Sequence, residues 1–266
     1  IGVELTDLGM AEYTMPGEKA FYEGCTTVPE MAKRAESLEG ASFICLHLEG
    51  ADPNGLNKSV EECVQLAKDV SDATTLPLVI MGCKNIEKDA ELFTKVSEAL
   101  QGKNILVFSA REENYKSVGA SAVMAYGQKV GAESAVDINL AKQLNVLMTQ
   151  LGVAPTSIVM NAGSAAAGYG YEYVASTLDR IRAAALAQSD TQLQMPILTP
   201  VSPETWSVKE SMVSEADMPE WGSAEERGIE MEIVTAAAVL ASGSDAVIMR
   251  HPAAIKAISE MIEALV

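Results

Sequence analysis

The sequence predicts a single eight-stranded (β/α)8 barrel, a TIM barrel, over residues 1–266. The length of 266 residues is close to the roughly 250 that are typical of one such barrel. Eight short apolar runs alternate with eight amphipathic stretches, and eight is the strand number at which a small parallel sheet closes. No Gly-x-Gly-x-x-Gly follows the first run, which argues against the alternative, an open doubly wound sheet.

The predicted strands are nearly continuous in apolar character and rich in Val and Ile. Strands that are buried on both faces of a parallel sheet have this composition. The runs are Ile1–Leu5, Ser42–Leu48, Leu76–Gly82, Asn104–Ser109, Ala132–Val136, Ser157–Asn161, Met195–Val201 and Ala246–Arg250. Because the chain opens directly on a strand, we expect further residues upstream of Ile1.

The predicted helices carry apolar residues at helical spacing between these runs. Ser59 and Glu62 form a capping-box pattern at the start of one of them. The helices are Val28–Glu39, Ser59–Asp72, Ile86–Leu100, Asn114–Gln128, Ile138–Leu151, Tyr171–Ala187, Ala224–Ala241 and Pro252–Leu265.

The composition limits the classes of partner. Apolar residues make up 48% of the chain and aromatic residues only 5%, so we expect a large aliphatic core. The formal net charge of −18 repels phosphate backbones and anionic lipid, so neither nucleic acid nor a membrane is expected as a partner. This charge favours solubility, or alternatively steers a basic partner surface. No apolar run reaches the roughly 18 residues that span a bilayer, and no signal peptide is recognised, so we expect a cytoplasmic location.

The four cysteines form no metal-binding pattern. Cys25, Cys45, Cys63 and Cys83 include no Cys-x-x-Cys pair and lie near no histidine at ligand spacing. We expect small buried side chains in a reducing compartment. A zinc or iron–sulfur site made by this chain alone is not expected.

The candidate binding residues follow the predicted strands, because the working face of a barrel is built from the loops at the carboxyl ends of its strands. This ring is rich in amides and carboxylates, which suits a large polar ligand. The candidates are Asp52, Asn114, Tyr115, Asp137, Asn139, Asn161, Gly168, Tyr169, Arg250 and His251.

Several candidates also have a purely structural interpretation. Asp52 begins an Asp-Pro-Asn-Gly turn signal, and Asp137 is a natural helix N-cap. Pro252 suits the first turn of a helix, so His251 either contacts a ligand or simply neighbours an N-cap. The glycines of residues 162–170 either bring backbone close to a ligand or form a flexible connection.

The sequence shows no set of residues for nucleophilic catalysis. No Gly-x-Ser-x-Gly elbow is present. His47 lies within a predicted strand and is interpreted as a packed or hydrogen-bonded residue. The long stretch Ser202–Ser223 contains Trp206 and Trp221 and is predicted to be a lid or a docking surface.

Eight segments carry a family resemblance, in order along essentially the whole chain. They are Glu49-Gly-Ala-Asp-Pro-Asn-Gly55, Gly82-Cys83 followed by Ile86-Glu-Lys-Asp89, Glu113-Asn-Tyr-Lys-Ser117, Asp137-Ile-Asn139 with Lys142-Gln-Leu-Asn145, Gly168-Tyr-Gly-Tyr-Glu-Tyr173, Asp179-Arg-Ile-Arg182, Glu225-Glu-Arg-Gly-Ile229 and Met249-Arg-His-Pro252. Together they resemble the small (delta) subunit of the corrinoid iron–sulfur protein, in the CO dehydrogenase/acetyl-CoA synthase delta subunit family. That family has an additional N-terminal segment, and it has Gly-Gly-Leu where this chain has Ala165–Ala167.

The resemblance implies a non-catalytic methyl-carrier subunit of the acetyl-CoA decarbonylase/synthase system, in the reductive acetyl-CoA (Wood–Ljungdahl) pathway of an anaerobe. It implies a heterodimer with a large (gamma) subunit, which holds the 4Fe–4S cluster and most of the corrinoid (cobalamin) site while this barrel caps the corrin. The implied methyl donor partner is a methyltetrahydrofolate methyltransferase, and the acceptor partner is acetyl-CoA synthase.

Two other functions remain open. The first is a pterin-binding methyltransferase, because Asp137, Asn139 and Asn161 could together hold a pterin ring. The second is a barrel that only supports assembly of a complex.

Overall fold

Eight parallel strands form the centre of the protein, in a computed structural model that describes residues 1–266. The strands pair in the order β6-β5-β4-β3-β2-β1-β8-β7. A parallel bridge between Met160 and Ile197 joins the two outer strands, and the Met160 amide donates to the Pro196 carbonyl at 2.7 Å. The sheet is therefore closed, and the predicted barrel is confirmed. The strands are β1 (Gly2–Thr6), β2 (Phe43–His47), β3 (Leu78–Met81), β4 (Leu106–Ala110), β5 (Lys129–Glu133), β6 (Ile158–Asn161), β7 (Leu198–Pro200) and β8 (Ala246–Met249).

Helices surround the barrel. They are α1 (Pro16–Phe21), α2 (Val28–Ala35), α3 (Val60–Ala73), α4 (Ile86–Ala99), α5 (Tyr115–Val118), α6 (Ile138–Leu151), α7 (Tyr171–Ala187), α8 (Ser202–Thr205), α9 (Lys209–Met212), α10 (Ala224–Ala241) and α11 (Pro252–Leu265). Short 3-10 helices cover Gly9–Ala11, Glu49–Ala51, Pro155–Ser157, Thr191–Leu193 and Pro219–Trp221, and a π-helix covers Gly119–Ala125. None of these helices combines the length and the apolarity that crossing a bilayer requires.

Alternation along the strands divides the apolar residues into two clusters. A cluster of 53 residues, which includes Val3 and Leu5 of β1, fills the space between strands and helices. A cluster of six residues, Cys45, Val79, Met81, Phe108, Leu198 and Ile248, packs inside the barrel. Since Val3 and Leu5 face the helices, the alternate residues Glu4 and Thr6 face the barrel interior, above this apolar plug.

The fifth predicted strand was misplaced by three residues. The apolar run suggested Ala132–Val136, whereas β5 spans Lys129–Glu133. Ala135 and Val136 have φ values of 45° and 64°, so the backbone leaves the extended conformation there. Gly131 is required within β5, because a Cβ at this position would lie 2.5 Å from the Phe108 ring.

The first helices and the fifth also differ from prediction. The short helix α1 was missed, and α2 ends at Ala35 rather than Glu39 because its last turn tightens, with the Leu38 amide donating to the Ala35 carbonyl. The Ala-rich stretch 114–128 is α5 followed by the π-helix, since the Tyr126 amide donates to the Ser121 carbonyl. Apolar spacing identifies the buried face of such a segment, but not its hydrogen-bond register.

Candidate functional site

Two adjoining cavities open at the carboxyl ends of the strands, and we call them together the barrel mouth. The larger, of about 410 Å³, is lined by residues of β1 and β2 and of the segments that follow β3, β7 and β8. The smaller, of about 70 Å³, lies over the ends of β3 to β6. Lys84, Pro203 and Glu204 line both cavities. The mouth is thus one continuous polar basin.

A buried ion pair lies at the floor of the larger cavity. Glu4 Oε1 is 2.8 Å from His47 Nδ1, and the two residues are 3% and 7% exposed. Burial opposes charge on both groups, but their mutual hydrogen bond and opposite charges outweigh it. The pKa of Glu4 is lowered and that of His47 is raised. These shifts both favour the charged forms, so the pair is stabilised as a carboxylate and an imidazolium.

Acidic groups outnumber basic groups around the larger cavity. Its acidic lining residues are Glu4, Glu12, Glu49, Asp52 and Glu204, and its basic lining residues are His47, Lys84 and Arg250. The hydroxyls of Thr6, Ser202 and Ser207 also line it. This set of groups accepts hydrogen bonds from a ligand more readily than it neutralises an anion.

Arg250 holds the N-terminal segment over the end of β1. Its Nε donates to Glu18 Oε1 at 2.7 Å, and its Nη2 donates to the carbonyl of Glu12 at 2.7 Å. The guanidinium lies 4.5 Å from the centre of the Tyr13 ring. One edge of the larger cavity is therefore fixed by a residue that follows β8.

Glu232 of α10 anchors the same region from below. Its two carboxylate oxygens accept the backbone N–H groups of Arg250 and His251 at 2.6 and 3.0 Å. Burial raises the pKa of Glu232 to about 7. His251 Nδ1 accepts the Ala253 amide at 3.2 Å, and Nε2 lies 3.2 Å from Glu225 Oε1. Both ring nitrogens of His251 are thus engaged within the chain.

A continuous series of hydrogen bonds joins the side chains that line the smaller cavity. Ser109 Oγ donates to Glu133 Oε2 at 2.7 Å, and Arg111 Nη2 lies 2.8 Å from Glu133 Oε1. Asn161 Nδ2 donates to Ser109 Oγ at 3.2 Å, while its Oδ1 accepts the Gly163 amide.

The structure brings three of the predicted site residues to the mouth. Asp52 and Arg250 line the larger cavity, and Asn161 lines the smaller one. Asn114 lies just beneath, where its Oδ1 accepts the Arg111 amide at 2.8 Å and thereby supports a lining residue.

The remaining predicted residues do not line these cavities. Asp137 is confirmed as the N-cap of α6, since it accepts the amides of Asn139 and Leu140 at 2.7 and 3.3 Å. Asn139 is exposed on the same helix, and Tyr115 begins α5. Gly168 and Tyr169 are exposed in the loop before α7, and His251 is the buried N-cap of α11. Their ligand contacts stay predictions.

The stretch 202–223 is folded rather than loose. Ser202, Pro203, Glu204 and Ser207 form one wall of the mouth. Arg227 holds the stretch by donating to the carbonyls of Glu210, Gly222 and Val213. Tyr169 donates from its hydroxyl to Glu210 at 2.5 Å, which ties the glycine-rich loop to this wall. The role of residues 202–223 as a lid or docking surface stays a prediction.

Sequence reasoning missed Glu4 and Glu133 as lining residues. The available signal for Glu4 was a charged residue in the middle of an apolar strand. The interpretation of His47 as a hydrogen-bonded strand residue is confirmed, although its ring also lines the larger cavity.

Cysteines and metal-ligating groups are dispersed. Cys45, Cys63 and Cys83 are buried, as expected, and Cys25 is partly buried. Nowhere in the chain are three or more His, Cys, Asp or Glu side chains grouped so as to hold a metal ion.

The closed barrel and its polar mouth define a (β/α)8-barrel protein with a candidate ligand site at the strand ends. Solved structures of dihydropteroate synthase share this fold: that of Yersinia pestis with a pterine-sulfa conjugate has 14% identity and a TM-score of 0.64 over 99% of this chain and 92% of that chain. That of Thermus thermophilus in complex with 6HMPPP has 15% identity and a TM-score of 0.60 over 100% and 92%.

The sequence profile of the CO dehydrogenase/acetyl-CoA synthase delta subunit family matches residues 7–262. The chain belongs to this family, as its segments predicted.

Relatives in this family are named acetyl-CoA decarbonylase/synthase complex subunit delta. That of Archaeoglobus fulgidus is 32% identical over 89% of this chain and 53% of the relative. The Methanopyrus kandleri protein is 34% identical over 84% and 55%, and the Methanothermobacter thermautotrophicus protein is 31% identical over 98% and 66%. The chain thus spans about half to two thirds of the length of these relatives.

Proposed function

We propose that this barrel covers one edge of a corrinoid that is held mainly by a partner subunit, within a methyl carrier that serves acetyl-CoA synthesis or cleavage. The observation that carries the proposal is the chemistry of the larger cavity, where carboxylates and hydroxyls surround an open polar space. Membership of the delta subunit family supports the context. The partner is the large subunit, which carries the iron–sulfur cluster, and the methyl donor and acceptor are the methyltransferase and acetyl-CoA synthase.

The lining residues fit the edge of a corrin. Carboxamide side chains rim this macrocycle, and each donates through its NH2 group and accepts through its carbonyl oxygen. Glu49, Asp52 and Glu204 can accept from such NH2 groups, while Lys84 and Ser207 can donate to the carbonyls. A corrinoid is larger than a cavity of about 410 Å³, so only side chains of its edge can enter. A second protein must cover the rest.

The residues of this chain bind and orient rather than react. When bound, the corrinoid supplies a cobalt centre that accepts and releases a methyl group. Glu49, Asp52 and Glu204 would hold its edge, and the wall formed by residues 202–207 would exclude water from one side. Arg250 and Glu232 keep the N-terminal segment and the end of β8 in place through their buried contacts.

A pterin-binding methyltransferase is the second candidate, and the likeness to dihydropteroate synthases and the position of Asn161 favour it. One observation weighs against it, because Asp137 and Asn139 do not line the mouth. A methyltransferase would methylate free cob(I)alamin from methyltetrahydrofolate, and we expect no such turnover from this chain.

Co-expression with the large subunit tests the proposal. The absorption spectrum of the purified complex should show a bound corrinoid. The double variant Asp52→Asn/Glu204→Gln should lose it about 3- to 10-fold faster, because hydrogen bonds to charged acceptors are stronger than those to neutral ones. The matched control is Glu61→Gln/Asp69→Asn on α3, away from the mouth. Equal retention in both variants would support a barrel that only aids assembly.

A further inference from the structure

The floor of the larger cavity has the features of a defined binding subsite. We propose that His47 Nε2 and Thr6 Oγ1 form a subsite for one neutral primary carboxamide. The NH2 group of this carboxamide donates hydrogen bonds to the surrounding carboxylates. This proposal rests on the proposed function only for the source of the carboxamide, which is the rim of the corrin.

The first observation is the orientation of His47. Glu4 engages Nδ1 at 2.8 Å, which fixes the ring and leaves Nε2 as the free donor nitrogen. His47 lines the larger cavity, and its Nε2 has no hydrogen-bond partner in the chain. A buried carboxylate that orients an imidazole in this way presents a directed N–H group to a ligand.

The second observation is an unpaired hydroxyl. Thr6 is 2% exposed and lines the same cavity, yet its Oγ1 has no hydrogen-bond partner. Thr6 pairs in register with His47 across β1 and β2, so the two groups are adjacent at the cavity floor. Buried polar atoms in proteins nearly always have a partner. A ligand atom that bonds Thr6 would therefore satisfy this hydroxyl.

The charges select the class of ligand. An oxygen acceptor is needed for His47 Nε2, and both carboxylates and carboxamides supply one. However, five carboxylates line the cavity against three basic groups, which repels an anion. A carboxamide is neutral, and its NH2 group gains acceptors such as Glu49 or Asp52. A phosphate or a carboxylate has no NH2 group and therefore makes no such hydrogen bond to these acceptors.

The experiment uses the complex of this chain with its partner subunit. This chain has only two histidines, so 15N-histidine labelling of this chain alone, followed by assembly with the unlabelled partner subunit, reports two imidazole rings. The probes are cobinamide, which carries carboxamides, cobyrinic acid heptamethyl ester, which lacks their N–H groups, and propionamide as a free carboxamide. Thr6→Val is nearly isosteric and removes only the hydroxyl. The control is Thr199→Val, whose hydroxyl pairs with Ser244 away from the mouth.

Cobinamide should shift the Nε2 resonance of His47 and leave that of His251 unchanged. The ester should bind about 3- to 10-fold more weakly, as should cobinamide to Thr6→Val, while Thr199→Val should bind like the wild type. A shift of His47 with propionamide would show that free carboxamides enter as well, and a shift with cobinamide alone would assign the corrin rim as the source.

Two outcomes separate the subsite from the proposed function. If cobinamide binds while the His47 resonance and the affinity of Thr6→Val stay unchanged, the subsite is wrong and the corrinoid cover stands. If the complex binds no corrinoid but propionamide shifts His47, the proposed function is wrong and the subsite stands.

Discussion

Breaking the buried pair of Glu4 and His47 should destabilise the barrel. Glu4→Gln leaves a buried imidazole without its counter-charge, and removal of one member of a buried pair costs about 3–5 kcal/mol. Because Gln retains one hydrogen bond to Nδ1, we expect about 2–3 kcal/mol of lost unfolding free energy. His47→Gln and the double variant complete a cycle, in which the coupling energy should be about 1–3 kcal/mol.

The coupling energy should depend on pH in a defined direction. The raised pKa of His47 contributes stability that is fully present below the unfolded value of 6.5 and is lost as pH rises through the folded pKa. The lowered pKa of Glu4 contributes stability that is present above 4.5 and is lost as pH falls through the folded pKa. The pair therefore contributes its full stabilisation between pH 4.5 and pH 6.5, the pKa values of the two groups in the unfolded chain.

Urea unfolding of the four proteins, followed by tryptophan fluorescence, measures this coupling. We expect a larger coupling energy near pH 5.5 than near pH 9, given the unfolded values of the two groups. A coupling below about 0.5 kcal/mol at both pH values would refute the assignment of an ion pair at the cavity floor.

Three further changes test the surroundings of the mouth. Arg250→Met leaves Glu18 buried without its partner and should cost about 3–5 kcal/mol in urea unfolding, more than the double change with Glu18→Gln. Gly131→Ala should cost about 1–3 kcal/mol, because its Cβ would lie 2.5 Å from the Phe108 ring, and a neutral result would contradict the packing of the barrel plug. Glu232 has a pKa raised to about 7, so the protein should lose stability as pH rises from about 4.5 through 7. Glu232→Gln should not show this loss. Parallel pH profiles of the unfolding free energy in the two proteins would count against the burial of Glu232.

Much of the fold was predictable from apolar periodicity. The helices α6, α7, α10 and α11 have the predicted limits, and three of them begin at capping side chains, those of Asp137, Ser223 and His251. The fifth strand was misplaced, because Ala135 and Val136 are apolar yet adopt left-handed backbone conformations. Composition alone does not distinguish the apolar residues of a strand from apolar residues in the loop that follows it.

The site was less predictable than the fold. Reading residues after each strand identified Asp52, Asn161 and Arg250, but it omitted Glu4, which lies inside its strand and faces the barrel. The capping roles of Asp137 and His251 were recognisable locally. The grouping of Arg111, Ser109 and Glu133 depends on the register between β4 and β5, which the misplaced fifth strand obscured.

Hydrogen–deuterium exchange of the complex, compared with and without its corrinoid, tests the location of the cofactor most directly. The corrinoid should slow exchange in residues 49–54 and 202–207, which contribute to the mouth, and leave the outer helix α3 unchanged. Protection confined to the opposite end of the barrel, or no protection of this chain while the corrinoid remains bound, would contradict a corrinoid at the barrel mouth.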